Sequence, residues 1–324
     1  MTKAQPIWKD FIVLLEGESW GDSVRYYVTC DGERIFSGKA HRRPGDESIR
    51  FTINDICAPY LSQDFRPESL SERGVVRNEG AGRHFAVFDS SDHTLLDEVF
   101  FYLDFSFDPS YDATKAGPSL PVTGTVDPRQ TLVVSTYDDS LVEVRVTTSQ
   151  GRELAFTHRG AGTPATLYFP VGDFPDARKI EALGRTYEVA RRCGRYVLYY
   201  VNAFGGWDSL AVDGTALETD NYTRSTYKRS YDNSAPWAKG TVNYRNDYEK
   251  SVKLVTGWLS DEQSRRMHHL FGSTNVYLHD LSTHTTRAVT ISDKSFVYKT
   301  YRSEGRRLVN YTLNATVSQD FTRQ

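Results

Sequence analysis

Apolar and polar positions alternate along most of the chain, with the period of two that is typical of strands with one buried face. In roughly the first hundred residues the strand candidates are 24–30, 34–38, 48–53, 84–88 and 98–105, of which 24–30 and 48–53 alternate. Asp31-Gly32 separates the first two segments and is a strong hairpin signal. Residues 54–61 favour a short helical turn or a loop, whereas 73–82, polar and with three glycines, favour a flexible loop. We therefore predict an N-terminal β-sandwich-like domain over 1–117.

A second β-rich region follows a stretch that resembles a linker. Residues 108–125 contain three prolines and two glycines, which disfavour regular structure. Strand patterns then resume over 131–135, 141–147, 153–156, 166–171 and 196–201. Short strands separated by polar turns predict an immunoglobulin-like β domain over 118–201. The strand ending at Val201 fits either this domain or the next one.

The third region, 202–324, combines further strands with the one notable helix of the pattern, near 260–271. Ser260 and Gln263 have the spacing of a capping box, and Met267, Leu270 and Phe271 form an apolar stripe. Strand patterns occupy 249–256 before the helix and 275–279, 287–291, 295–299 and 308–317 after it. The predicted fold class is all-β and mainly antiparallel, with serial sandwich or barrel domains.

Composition narrows the function classes. The 324 residues include 39 basic and 42 acidic side chains, for a net charge of −3. Because nonspecific nucleic-acid binding needs a large excess of basic residues, we expect no nucleic-acid partner. No apolar run approaches the ~18–20 residues of a membrane span, so we expect no membrane insertion. Residues 1–9 lack the pattern of a signal peptide. Aromatic residues reach 13%, which favours strands.

The residues that could bind metals do not form a plausible site. Cys30, Cys57 and Cys193 are odd in number and contain no C-x-x-C pair, so we expect three buried or half-buried free thiols. His268 and His269 point about 100° apart on a helix and cannot both face one metal with His279. Residues 89–93 fail the calcium-loop pattern and favour a solvated turn. We predict no metal and no cofactor.

Catalytic motifs are equally weak. Adjacent acids such as Glu16 and Glu18, or Asp138 and Asp139, could serve glycoside hydrolysis only if a fold placed two of them across a cleft. The sequence contains no G-x-S-x-G elbow, no G-x-x-x-x-G-K and no G-x-G-x-x-G. We therefore expect a protein that is not an enzyme.

The most distinctive stretch runs from Tyr199 to Asp208, where an aromatic strand meets a Gly-Gly turn and Trp-Asp. Its candidate functional residues are Tyr199, Tyr200, Phe204 and Trp207. Exposed rings there could stack on a sugar or anchor a protein interface. A third interpretation is that Trp207 fills the seam between two blocks of the chain.

The stretch Tyr-Val-Asn-Ala-Phe-Gly-Gly-Trp-Asp resembles a segment of tail-associated structural proteins from phages and prophages of gut bacteria. Residues 35–40 with 53–56 look like the N-terminal part of such proteins, and 257–262 followed by 273–278 look like their C-terminal helix-then-strand unit. These pieces occur in order and span most of the chain. None of them contains a catalytic or cofactor-binding motif.

The resemblance implies a distal-tail-like component of the tail tip or baseplate. Such a protein would be a non-enzymatic building block in a threefold or sixfold homo-oligomeric ring, contacting other tail or baseplate proteins. Its location would be the virion tail after synthesis in the host cytoplasm. The alternative is a carbohydrate-binding or adhesin module that uses exposed aromatics. Burial of Trp207 separates these, because a sugar platform must be exposed in the free protein.

Overall fold

The computed structural model describes residues 3–17, 20–106, 123–137, 141–159, 164–228, 240–259, 261–293, 295, 297, 309–318 and 321–323. Strands dominate this part of the chain and most of their pairings are antiparallel, so the predicted all-β class is confirmed. The chain divides into two compact units. Unit 1 comprises 1–190 and 201–208, and unit 2 comprises 191–200 and 209–324. The division into three domains stays a prediction.

The first part of unit 1 contains two sheets around one apolar core and one further strand that belongs to a third sheet. The strands are β1 (Lys3–Pro6), β2 (Ile12–Glu16), β3 (Ser23–Cys30), β4 (Glu33–His41), β5 (Ser48–Thr52), β6 (Gly74–Arg77), β7 (Gly82–Asp89) and β8 (Leu95–Tyr102). One sheet has the order β1-β8-β7-β3-β4, and β2 pairs with β5. Alternate residues of both sheets enter the core, among them Val13, Val28 and Phe85. The alternation therefore identified the buried face correctly.

Two local predictions in this region are confirmed and one is wrong. Asp31 and Gly32 have φ values of 50° and 89°, which a two-residue hairpin turn between β3 and β4 requires. The expected helical turn is α1 (Asn54–Cys57), followed by a 3-10 helix at Ala58–Tyr60. The expected flexible loop at 73–82 instead contains β6, which pairs with a strand of the following region. Val75 and Val76 were too short an apolar run to reveal it.

The second part of unit 1 is sandwich-like. Its strands are β9 (Thr123–Val126), β10 (Thr131–Thr136), β11 (Val142–Thr148), β12 (Glu153–His158), β13 (Ala165–Pro170), β14 (Ala177–Ala182) and β15 (Arg185–Val189). One sheet has the order β10-β13-β6 and the other β12-β11-β14-β15-β9. Val134 and Leu167 from the first sheet share a core with Val144 and Ile180 from the second. Residues 107–122, most of the expected linker, lie outside the described residues.

Unit 2 is built on a large sheet with the order β17-β16-β20-β21-β22-β19-β18, and β23 also pairs with β19. These strands are β16 (Tyr196–Val201), β17 (Trp207–Val212), β18 (Ala216–Lys228), β19 (Thr241–Val255), β20 (Val276–Asp280), β21 (Thr285–Ile291), β22 (Thr312–Val317) and β23 (Phe321–Arg323). The turn between β16 and β17 is counted with unit 1.

The predicted C-terminal helix is present as α2 (Asp261–Phe271). Met267 and Leu270 of its apolar stripe are buried and belong to the same core as Leu254 and Leu278 of the sheet. The proposed cap Ser260 lies outside the described residues. Helix α2 therefore covers one face of the sheet, as an amphipathic helix in an otherwise β-rich unit should.

Candidate interaction surface

Three of the four aromatic candidates lie in the protein interior. Trp207 and Tyr199 are completely buried, and Tyr200 is buried as well, while Phe204 is half-buried. A buried ring offers no face to a sugar or to a second protein. Of the interpretations left open for this stretch, those that need exposed rings at Tyr199, Tyr200 and Trp207 do not fit the folded chain, because these three side chains are buried.

Trp207 is held at the core end of the Gly-Gly turn. Its backbone N–H donates to Ser135 Oγ at 2.9 Å, and its ring lies 4.9 Å from that of Phe65. Asn202 shapes the turn, because its Oδ1 accepts hydrogen bonds from the backbone N–H groups of Phe204 and Gly206. The distinctive sequence motif therefore forms a turn that places Trp207 in the core of unit 1.

The tyrosines of β16 pack on opposite faces of the unit 2 sheet. Tyr200 belongs to the core that α2 covers, together with Leu198. Tyr199 points the other way, and its ring centroid lies 6.2 Å from that of His279. Both faces of this strand are buried along its whole length. The aromatic run therefore reflects a strand that is covered on two sides.

A different element of unit 2 is exposed. Strands β18 and β19 form a hairpin whose pairing runs from Ala216–Leu254 to Lys228–Thr241. Strand β22 pairs with β19 only along Ser251–Val255, near the base of the hairpin. We call the outer part, 222–228 with 241–248, the arm. Among the described residues, β23 alone pairs with the arm, along Asn246–Tyr248.

The arm has no buried side chain among its described residues. Tyr222, Tyr227 and Tyr244 are each about half exposed. Rings pair across the hairpin, with centroids 5.2 Å apart for Tyr222 and Tyr248 and 6.1 Å apart for Tyr227 and Tyr244. Such cross-strand aromatic pairs stabilise a hairpin. The arm therefore presents solvent-exposed aromatic surface on a paired backbone.

Polar contacts fix the base of the hairpin to the sheet. Glu218 accepts hydrogen bonds from the Tyr196 hydroxyl and from Lys250 Nζ, and these two bonds lower its pKa. Burial, together with the same hydrogen bond, raises the pKa of Tyr196 to about 12. Farther out, the Tyr248 hydroxyl donates to Asp220 at 2.8 Å. This charged network therefore fixes the base of the hairpin, from which the arm continues.

The alternation of polar and apolar residues did not predict β18. The segment 216–228 has polar residues on both faces, so period-two alternation does not reveal it. Its three threonines and two tyrosines favour a strand by propensity, and that signal could have found it. Polarity on both faces is typical of a strand whose side chains stay exposed, and none of the side chains of β18 is buried.

Of the four acids considered for glycoside hydrolysis, Glu18, Asp138 and Asp139 lie outside the described residues. A cleft of about 530 Å³ in unit 1 contains Glu143 and Glu181, but hydrogen bonds from Arg145 and Lys179 lower the pKa of both carboxyls. A glycosidase acid needs the opposite shift. Within the described part of the chain, no group of three or more His, Cys, Asp or Glu residues could hold a metal ion.

The cysteines are free, and two of the three fit the expectation. Cys30 and Cys57 are buried, and burial raises the pKa of Cys57 to about 12. Cys193 is exposed, contrary to the expected burial, because it lies in the irregular segment before β16.

Comparison with known proteins leaves the chain without an assigned family. No protein-family model matches it, and no curated protein matches it. Among the described residues, no helix is long and apolar enough to cross a membrane.

Proposed function

We propose that this protein is a non-enzymatic structural component of a phage tail or baseplate, which assembles into a ring through protein–protein contacts. The arm carries the proposal. It extends an element of the folded chain into solvent without burying any of its described side chains. The sequence resemblance to tail-associated proteins supports the same class.

The energetics of the arm favour a partner. A two-stranded hairpin on its own is marginally stable in water, because it buries too little apolar surface to offset the entropy of ordering. Tyrosine is enriched at protein interfaces, where its ring is buried and its hydroxyl keeps a polar contact. Burial of Tyr227 and Tyr244 against another protein would supply the missing stabilisation.

A ring requires each copy to use two different surfaces. Head-to-tail contacts close when the rotation between neighbours is a whole fraction of a turn, and threefold and sixfold rings are the forms that the resemblance implies. Further tail or baseplate proteins would bind the faces of the ring. The virion tail would be its location.

The alternative is a carbohydrate-binding or adhesin module. Three of the four residues first suggested for it are buried, but Trp258 and, on the arm, Tyr222, Tyr227 and Tyr244 are exposed. Exposed rings can stack on sugar faces. This alternative therefore depends on those residues.

Native mass measurement of the full-length protein over a concentration series separates the two functions. Assembly predicts species of three or six copies that increase with concentration, and no binding on a glycan array. A monomer at every concentration, combined with specific glycan binding that Trp258→Ala or Tyr244→Ala removes, would refute the assembly proposal.

A further inference from the structure

Charge is segregated between the two units. Unit 1 carries 30 acidic and 20 basic residues, whereas unit 2 carries 12 acidic and 19 basic residues. Their net charges are therefore −10 and +7, although the whole chain is close to neutral at −3. Opposite net charges on two parts of one chain favour association of unlike parts from different copies and disfavour association of like parts.

The arm concentrates this positive charge on an exposed element. Arg224, Lys228 and Arg245 lie on it, against the single acid Asp247 among its described residues. Arg245 pairs with Asp247 at 2.9 Å, which leaves the Arg224 and Lys228 side chains as the net charge of the arm. Both are exposed. They lie beside the exposed tyrosines on the same hairpin, so charge and apolar surface occur together.

Unit 1 contains a matching acidic surface. Residues 84–114 include seven acidic side chains and neither lysine nor arginine, but Asp89 and Asp104 are buried and Asp108 and Asp112 lie outside the described residues. Within that stretch Asp92 is exposed in the turn between β7 and β8, and Asp97 and Glu98 are partly exposed at the start of β8. Glu98 has a neighbour in His84, at 3.3 Å. We call the β7–β8 turn and the first half of β8, 90–98, the acidic turn.

We propose that the arm of one copy binds the acidic turn of unit 1 on a second copy. This inference rests on the proposed function, because it presumes that copies of the chain associate. The two surfaces belong to different units and differ in sign, so the contact is heterologous and can propagate from copy to copy until it closes. Contacts between exposed charges are screened by salt, so the association should weaken as ionic strength rises.

Charge reversal tests the pairing on the full-length chain. Native mass and sedimentation at low salt should show association of the wild type, which 0.5 M NaCl weakens at least tenfold. The variant Arg224→Glu/Lys228→Glu should associate at least tenfold more weakly, and so should Asp92→Lys/Asp97→Lys. The matched control Lys253→Glu/Arg287→Glu reverses two exposed charges of unit 2 outside the arm and should associate like the wild type.

Combining the two reversals in one chain restores complementarity. The quadruple variant Arg224→Glu/Lys228→Glu/Asp92→Lys/Asp97→Lys should recover most of the association, with circular dichroism confirming that every variant is folded. Assembly of the wild type together with undiminished assembly of the arm variant would overturn this inference and leave the proposed function standing. Failure of the folded quadruple variant to recover would overturn the pairing of these two surfaces. A wild type that stays monomeric at low salt and high concentration would overturn both the inference and self-assembly.

Discussion

Ser135 Oγ accepts a hydrogen bond from the backbone N–H of Trp207 at 2.9 Å, across 72 positions of sequence. This bond joins β10 to the first residue of β17 inside unit 1. It places the largest side chain of the distinctive motif in a fully buried position. The motif that first suggested a binding surface is therefore a structural determinant of the core.

Replacing Trp207 by alanine should destabilise the protein by about 3–5 kcal/mol, because removal of a buried aromatic ring leaves a cavity and loses its transfer free energy. Denaturant unfolding followed by circular dichroism measures this change. Trp258→Ala is the matched control: this tryptophan is 64% exposed, and its removal should change the free energy of unfolding by less than about 0.5 kcal/mol. Equal effects of the two substitutions would contradict the assigned environments.

Position 205 requires a glycine for two reasons, its positive φ and the atoms that surround it. Its φ is 77°, and a Cβ there would collide with the carbonyl oxygen of Leu103. Gly151 has a φ of 75° but no atom near the position of a Cβ. Both Gly→Ala changes carry the left-handed strain of about 1–2 kcal/mol, and only Gly205→Ala adds the collision. We expect Gly205→Ala to lower the melting temperature clearly more than Gly151→Ala. Similar shifts would show that the collision is relieved without cost.

Local patterns predicted the fold where one face of a strand is buried. The β3–β4 hairpin follows from Asp31-Gly32, and α2 follows from the Met267 and Leu270 stripe. Prediction failed where partners are distant in sequence. Strand β6 is stabilised as a strand by pairing with β13 about ninety residues later, and four residues cannot encode that on their own.

Thiol reactivity should distinguish the three cysteines. Cys193 is exposed, whereas burial raises the pKa of Cys30 and of Cys57, which keeps both as unreactive thiols. Mass spectrometry after brief iodoacetamide treatment of the native protein should show one modification, and Cys193→Ser should remove it. Three modifications are expected after denaturation. Labelling of Cys57 in the native protein at the rate of Cys193 would contradict its burial.

His269 should make the stability of unit 2 sensitive to acid. Burial in α2 lowers its pKa to about 4, with His268 and Arg266 adding to the shift. Well above pH 6.5 the imidazole is neutral in both the folded and the unfolded chain. As the pH falls from 6.5 towards 4, the unfolded chain binds the proton first, so the free energy of unfolding decreases. Between pH 7 and pH 4.5 this loss should be about 2 kcal/mol.

The variant His269→Gln isolates this effect. Its free energy of unfolding, measured with denaturant at pH 8, 7 and 4.5, should decline less on acidification than that of the wild type. The value at pH 8 reports any packing cost of the substitution, because both states of the wild-type histidine are neutral there. Parallel pH dependences for the two proteins would contradict a depressed histidine pKa.

The candidate surface was harder to predict than the fold. The sequence left Tyr199, Tyr200 and Trp207 open as either surface or buried residues, because aromatic residues beside glycines are common both at interfaces and in cores and composition alone does not separate the two. Alternation did not predict the arm, because its strands have polar residues on both faces. Only the pairing of β18 with β19 shows that this polar sequence is ordered, and only its exposure shows that it is available to a partner.

The most direct test of self-assembly is imaging of the full-length wild type by negative-stain electron microscopy at low ionic strength, with class averages analysed for rotational symmetry. The account predicts closed rings with threefold or sixfold symmetry and one hairpin arm at each subunit contact. Isolated particles without rotational symmetry, at concentrations far above those of the native mass series, would contradict it.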